Sequence, residues 1–408
     1  MTPREYALDV VKKLQQAGYQ ALWAGGCVRD QLLDLQPKDY DVATNATPAQ
    51  VREAFGKKRT LPIGASFGVI TVLGPKSAGH IEVATFRRDS GYSDGRHPDS
   101  VEFTDAQEDA RRRDFTINGM FFDPVLEKVI DYVGGQTDLE TGIVRAIGCP
   151  EERIDEDKLR MLRGVRFAAT FDFELDPETM AAIQKHAPEI QTVSGERIGA
   201  EMRRMLAGAN RATAVVLLRD SGLLAEIIPH GSLITADGDQ WERTLESLER
   251  LDGDFESAAA ILLQPILQKH GIDSISQRWK LSNAERKSIQ WIGQHWRTLA
   301  QADQLPWSQV QPLLVNPDAQ RALAVAASRS QQAPIGIEFC RERLQWPMDE
   351  LDPAPLLDGS DLIEIGIRPG PLFKEILNAL REAQLEGQIA TIDEAKKMAQ
   401  ELDQGNME

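Results

Sequence analysis

Long apolar runs are missing from this chain. No stretch approaches the roughly 18 residues a helix needs to cross a bilayer, which excludes a helical membrane protein. Cysteine is scarce, and Cys27, Cys149 and Cys340 lie far apart with no ligand-like spacing. That excludes a zinc site and points to free thiols in a reducing cytoplasm. There is no internal repeat and no low-complexity segment. The opening MTPREYALDVVKKLQQAG carries charges throughout and reads as an amphipathic helix rather than a secretory signal. Positive charge is in deficit: 46 basic against 63 acidic side chains leave a formal net charge of −17. Indiscriminate nucleic-acid binding is thereby disfavoured. RNA as such is not excluded, because the position of the positive charge matters more than its sum.

What is present is unevenly placed. The basic residues cluster at Arg87–Arg88, at Arg111, Arg112 and Arg113, at Arg160, Arg163 and Arg166, and at Arg197, Arg203 and Arg204. Acidic excess gathers later, for example over 226–256 and 348–361. This distribution fits a protein that grips one polyanion locally and stays soluble elsewhere. The 408 residues, 42% of them hydrophobic, allow two to four domains with a sizeable core. Up to about residue 145, short β-type runs (19–24, 40–43, 67–73, 80–86 and 128–132) alternate with glycine turns, predicting a small α/β domain with one mixed sheet. The polar segment RRDSGYSDGRHPDS, 87–100, reads as a mobile loop. Beyond Pro150 the apolar spacing is helical: 159–170, 177–186, 195–206 and 212–228. Near the end, a helix with proline in its first turn runs from the 367–373 segment to about 383, and a last one spans 392–402.

Three motifs carry chemistry. In the first, the run 19–24 breaks at Gly25-Gly26 before a helix over 28–35. Glycines there let backbone N–H groups approach an anion, and Arg29 adds a forked donor for phosphate oxygens. Asp39 and Asp41 follow, two apart in what reads as the next strand, so both carboxylates share one face. A phosphate cradle beside paired carboxylates is what metal-dependent phosphoryl transfer requires. Either element alone is more often a plain turn or a solvated strand end; their order and closeness favour chemistry. In the second motif, RRRDFTIN (111–118), an arginine falls on the triphosphate, and Asp114 and Asn118 offer acceptors and donors to a ribose hydroxyl. The plain alternative is a solvated basic turn.

The third motif, EDKLRMLRGVRF (156–167), repeats Asp157, Arg160, Arg163 and Arg166 every three residues. Each step rotates about 60° around a helix, making Asp157 and Arg160 neighbours. An ordinary surface ion pair would contribute little. As a base template, however, Asp157 accepts from an exocyclic amino group while Arg160 donates to an unprotonated ring nitrogen. Cytosine and adenine present that edge; guanine and uracil present the reverse.

Six segments, GGCVRDQLLDLQPKDYDVAT, IEVATFRRDSGYSDGRHPDSVEF, RRRDFTINGMFFDP, DYVGGQTDLETG, EDKLRMLRGVRFAA and SGERIGAEMRRML, occur in this order over about residues 20–206. Together they resemble the class II tRNA nucleotidyltransferase and bacterial poly(A) polymerase family. The resemblance implies an α+β, polymerase-β-like nucleotidyltransferase head with a mixed sheet (1–145), then an all-α neck for base recognition (146–210), body (211–300) and tRNA-binding tail (301–408). It implies template-independent addition of C, C and A to the tRNA 3′ end from CTP and ATP. Mg²⁺ would lie on Asp39 and Asp41. Gly26, Arg29 and Arg113 would meet the incoming nucleotide, and Asp157 and Arg160 would read its base with Arg163 and Arg166 in support. Glu82, on a strand expected beside the first, is the preferred third metal-directed carboxylate over Asp114, with a structural salt bridge as the alternative. The partners are then the tRNA 3′ end, CTP and ATP, with no membrane and no stable protein partner.

Gly119 stands where the family more usually has alanine, a loss of one methyl group that should be tolerated. Close rivals are an A-adding enzyme and a poly(A) polymerase. CC-adding relatives lack the loop matched by 88–98. The acidic C-terminus speaks against a poly(A) polymerase, and GIRPGPLFKEIL resembles the elbow-binding tail of CCA-adding enzymes. No His-Asp pair of the phosphohydrolase domain appended in some relatives is present. A catalytically inactive RNA-binding protein would have no need of Asp39 and Asp41.

Overall fold

The computed structural model describes residues 1–91, 100–330 and 334–405. Most of the expected loop, 92–99, lies outside the described residues. The chain divides into two compact units, Met1–Pro229 and His230–Glu408.

The first unit begins with the amphipathic helix Pro3–Gln16. Thr2 and Glu5 close a reciprocal capping box, Pro3 occupies the first turn, and Tyr6, Val10, Val11 and Leu14 form its buried stripe. It packs on a sheet whose strands run in chain order β1 (Ala21–Ala24), β2 (Asp41–Thr44), β3 (Thr60–Leu61), β4 (Val69–Leu73) and β5 (His80–Thr85). A separate hairpin follows, β6 (Arg87–Ser90) and β7 (Ser100–Phe103). Then come β8 (Phe121–Asp123), β9 (Lys128–Ile130), β10 (Ile143–Val144) and β11 (Glu174–Leu175). The main sheet has seven strands in the order β3-β4-β5-β2-β1-β8-β9. It is mixed, as expected: β2 and β5 run parallel and the other neighbours antiparallel.

Strand β1 is buried at all four positions, which suits its place inside the sheet. On β5 the burial alternates. Ile81 and Val83 point into the core while His80 and Glu82 face outward. Trp23, Val42, Ile70, Ile81, Val83 and Phe122 join Val10 and Leu14 in one core, which continues through Phe115 into Phe167 and Ala168 of the helix Leu159–Phe171. The sheet and that helix are therefore one packed body, and truncating any of these side chains should cost roughly 2–5 kcal/mol.

After β9 the unit is helical, apart from β10 and β11, which pair with one another in parallel. Leu159–Phe171, Pro177–His186 and Gly195–Ala207 match the expected helices closely. The single helix expected over 212–228 is two, Arg211–Asp220 and Leu223–Ile227, because Gly222 turns the chain at φ 78°. Asp39 lies before β2 rather than within it, and Phe67 belongs to the short helix Ala65–Phe67 rather than to β4.

The second unit is helical throughout its described residues. It contains a separate small core near its end, where Leu362, Ile367, Ile376, Leu380, Ala395 and Ala399 meet. Leu372–Leu385 starts one residue after Pro371, so proline there occupies the cap rather than the first turn. The last helix is Ile392–Gly405. No helix among the described residues is long and apolar enough to cross a membrane.

Candidate functional site

Strand β1 ends at Ala24, whose register partner on β2 is Asp41, and Asp41 in turn sits opposite Glu82 on β5. Directly opposed residues of neighbouring strands put their side chains on one face. The sheet thus delivers two carboxylates to the same spot, beside the glycine turn. Gly25 bends that turn at φ 71°, and its N–H donates to the Met120 carbonyl at 3.2 Å. A Cβ on Gly25 would stand 2.9 Å from Arg113 Nη1, so both conformation and space demand glycine. Asp39 reaches the neighbourhood from the loop before β2, and its charge is felt by Asp41.

The Asp41 carboxyl is pushed up to about 6, first by its protein-lined surroundings and then by repulsion from Glu82 and Asp39, with Arg113 opposing. Asp41 is nevertheless open to the cleft on one side, so water screens part of that repulsion. Glu82 makes no ion pair among the described residues, and the salt bridge held open for it is not formed. Asp41 and Glu82, opposed across β2 and β5, with Asp39 close enough for its charge to act on Asp41, are oxygen donors of the kind a hard divalent cation takes. A second acidic group, Asp155 with Glu189 and His186, is different in kind. Lys158 Nζ already lies between its carboxylates at 2.5 and 2.6 Å.

Above the turn opens a cleft of about 560 Å³. It is lined by Gly25, Gly26, Arg29, Arg113, Asp114, Asn118, Asp157, Arg160, Arg163 and Arg166, all ten of the expected nucleotide contacts, and by Asp41. Arg112 and Phe167 line it as well and were not anticipated.

Its arginines are held by acids. Asp109 pairs with Arg112 at 2.8 Å and Arg113 at 3.0 Å. Burial pushes this carboxyl up, but the two guanidiniums outweigh it and hold it below the usual range. The spacing of Asp109 three and four residues before its partners, on and just after the helix Ala106–Arg111, was a legible signal. Asp114 accepts from Arg163 Nε at 2.8 Å, from the Phe115 N–H at 2.8 Å and from Asn118 Nδ2 at 3.1 Å. Burial raises this carboxyl too, yet Arg163 brings it down to about 2. Both its oxygens are occupied, so Asp114 is an anchor rather than a free acceptor for ribose, and it is unsuited to be the third metal-directed carboxylate. Asn118 is likewise engaged, its Oδ1 accepting from Arg29 Nη1 at 2.6 Å. Arg29 lies 5.2 and 4.5 Å from the ring centres of Phe167 and Phe171.

Asp157 and Arg160 both line the cleft, but the surface ion pair that was the plain alternative for them is not formed; Asp157 ends one helix and precedes the next, where the 60° step does not apply. Asp157 instead receives both nitrogens of the Arg197 fork, at 3.0 and 2.6 Å, from the helix Gly195–Ala207. Arg160 pairs with Glu156 at 2.6 Å and donates to the Arg112 carbonyl at 3.2 Å, tying the helical segment to the sheet domain. Arg166 pairs with the buried Glu201. Arg197 and Glu201 lie on one face of one helix, but nothing local in the sequence assigns them to Asp157 and Arg166.

A second groove of about 920 Å³ starts at the same carboxylates. It runs from Asp39 and Asp41 past Arg166, Thr170 and Phe171 to Arg203, Arg204 and Ala207. Asp41, Gly26, Arg29 and Arg166 border both spaces. Two substrates could meet over Asp41, one from each side.

Residues 21–145 match the family model for the poly A polymerase head domain, and 172–233 match that for the probable RNA and SrmB-binding site of polymerase A. The chain is 31% identical over 395 residues to the CCA-adding enzyme of Limosilactobacillus fermentum, covering 95% of this chain and 94% of the relative. It is 33% identical over 401 residues to the CCA-adding enzyme of Geobacillus kaustophilus, again covering 95% and 94%. Among solved structures it resembles the Bacillus stearothermophilus CCA-adding enzyme in complex with CTP, with a TM-score of 0.80, 30% identity, and coverage of 100% of this chain and 99% of the other.

Proposed function

Because the chain belongs to the CCA-adding family of tRNA nucleotidyltransferases, we propose that it adds C, C and A in turn to the 3′ end of tRNA, using CTP and ATP. The observation that carries this reading is the unneutralised Asp41, which borders both grooves, with Asp39 in one of them and Glu82 opposite Asp41 in strand register. The base-reading wall stands over one groove, and the other is basic and long enough for an RNA end.

In the reaction, the 3′-oxygen of the RNA forms a bond to the α-phosphorus of the nucleotide. The α–β phosphoanhydride bond breaks, diphosphate leaves, and the hydroxyl proton is released. Asp39 and Asp41, with Glu82 beside them, would hold Mg²⁺ in a two-ion arrangement. Bound there, the ions supply Lewis acidity toward the phosphates and the attacking hydroxyl. Gly25 and Gly26 allow the phosphates to approach the backbone closely, and Arg29 and Arg113 supply positive charge at that end. Asp157, clamped by Arg197, accepts from the amino group of C or A, and Arg160 donates to the adjacent ring nitrogen. Guanine and uracil would set a carbonyl against the Asp157 carboxylate and an N–H against the guanidinium, and be refused. Arg163 and Arg166, fixed by Asp114 and Glu201, support this wall.

The test uses tRNA ending at the discriminator base, at C and at CC, with CTP and ATP supplied singly and together. Addition of three nucleotides to the first substrate is the expected result. Extension of the CC-ended tRNA alone would identify an A-adding enzyme, and no extension of any of them would overturn the reading.

A further inference from the structure

The second unit carries most of the chain's acidic excess, and several of its arginines are neutralised. Arg250 pairs with Glu246, Arg286 with Asp273, Arg321 with Asp254 and Asp318, and Arg381 with Asp352. Arg243, Arg297 and Arg329 depart from this pattern. They come from three packed helical elements, the helices Gly238–Arg250 and Asn283–Ala300 and the C-terminal cap of Ala319–Ser328; Arg297 and Arg329 lie on Trp296, and Arg243 is near enough for its charge to act on Arg329. The Arg297 and Arg329 guanidinium carbons lie 4.7 and 5.1 Å from the Trp296 ring centre. None of the three makes an ion pair among the described residues.

Their few polar partners are uncharged. Arg329 donates to the Ile261 carbonyl at 3.2 Å, while its Nε is buried without a partner. Arg297 donates to the Gln268 amide oxygen at 2.6 Å. Burial, and then the charges of Arg297 and Arg243, lower Arg329 to about 10, with no acid opposing them. Holding three like charges together costs free energy that an ordinary surface would relieve with a carboxylate. The unit has carboxylates in excess and supplies none here.

We propose that Arg243, Arg297 and Arg329 form a binding site for a backbone phosphate of the RNA acceptor, with Trp296 as its apolar wall. Two of these guanidiniums, Arg243 and Arg297, are exposed and can meet a large ligand, whereas Arg329 forms the half-buried floor. Guanidinium forks supplied by three different elements suit the oxygens of a phosphodiester. The half-buried indole beside them gives a ribose or base a surface to pack on, which a site for a small inorganic anion would not need. This inference rests on the reading that the substrate is tRNA, and it adds a phosphate contact outside the unit that contains the carboxylates.

The test measures binding separately from chemistry. Affinity for a full-length tRNA lacking its CCA end would be followed by fluorescence anisotropy across salt concentration, for the wild type and for R243E/R297E. Both positions are exposed, and circular dichroism would verify the fold. We expect affinity to fall about tenfold or more and the slope of log affinity against log salt to shrink by about one to two. KM for tRNA should rise in parallel while kcat and KM for CTP stay within about twofold. R243K/R297K, which keeps the charge, should recover most of the affinity. Unchanged tRNA affinity and salt slope in R243E/R297E would overturn the proposal. So would loss of inorganic polyphosphate binding with tRNA binding intact, which would mark a site for a free anion. If the wild type bound tRNA but added no nucleotide, the proposed reaction would fail while the phosphate site remained testable by binding.

Discussion

Floor and wall of the same cleft treat charge in opposite ways. On the floor, Asp41 lies opposite Glu82 and feels the charge of Asp39, and it is pushed up to about 6. On the wall, Asp109, Asp114, Asp157 and Glu201 each hold one or two arginines, and Asp114 is brought down to about 2. The difference separates two uses of a carboxylate. A neutralised one sets the direction of its arginine; Asp114, with two hydrogen bonds on each oxygen, has no capacity left for a ligand, whereas Asp157 Oδ2 accepts only from Arg197 and can take one more donor. An unneutralised group of them costs stability until a cation arrives. The arginines around Trp296 repeat the second case with the opposite sign.

Emptying the floor should have the largest effect. Asp41→Ala or Asp39→Ala is expected to lower the rate of nucleotide addition by about 10³-fold or more, with tRNA affinity within about twofold. Single-turnover kinetics with a binding titration checks this; a rate within tenfold of wild type would remove the metal assignment.

Loosening the wall should alter choice more than rate. Arg197→Met frees Asp157 to rotate, and Asp157→Ala removes the acceptor. Both should narrow the preference for CTP and ATP over GTP and UTP by about 10- to 100-fold, through loss of about 1–3 kcal/mol of hydrogen bonding. Competition between the four triphosphates on one tRNA measures this. An unaltered ratio would show that the base is read elsewhere.

The wall should also report itself in acid. The Asp114 carboxyl lies at about 2 in the folded chain against 3.8 ordinarily, so its contribution is complete above about pH 4 and lost as pH falls through about 2. Asp114→Asn should remove about 2 kcal/mol of stability at neutral pH and flatten the acid limb of a urea-denaturation series. An acid limb as steep as that of the wild type would mean that Arg163 does not depend on Asp114.

Smallest is the floor's own titration. Asp41 lies at about 6 when folded without metal, above its ordinary 3.8. Its contribution is therefore favourable below about pH 4 and lost as pH rises through about 6. Screening by cleft water limits the effect to about 1 kcal/mol. Mg²⁺ should accordingly raise the melting temperature more at pH 8 than at pH 5, and Asp41→Asn should abolish the difference.

Much of this site was legible because its signals are local. Gly25-Gly26, the Asp39/Asp41 spacing and the arginine triplet report themselves within a few residues, as do the strands and most helices. Some readings failed where local geometry was extended too far. Asp157 lies between two helices, so the rotation per residue that made it a partner of Arg160 had no meaning there. Gly222 split a helix whose apolar spacing ran on without a break.

By itself, then, the sequence determined the order of elements, the residue types that meet in the cleft and the kinship with the CCA-adding enzymes. Backbone preference, apolar period and motif spacing all act over short distances along the chain. Tertiary structure alone decided the pairings: Asp41 with Glu82 through strand register, Asp157 with Arg197, Asp114 with Arg163, and Arg297 and Arg329 on Trp296. Each joins residues on different elements, and electrostatic energy depends on distance in space, which sequence separation does not report.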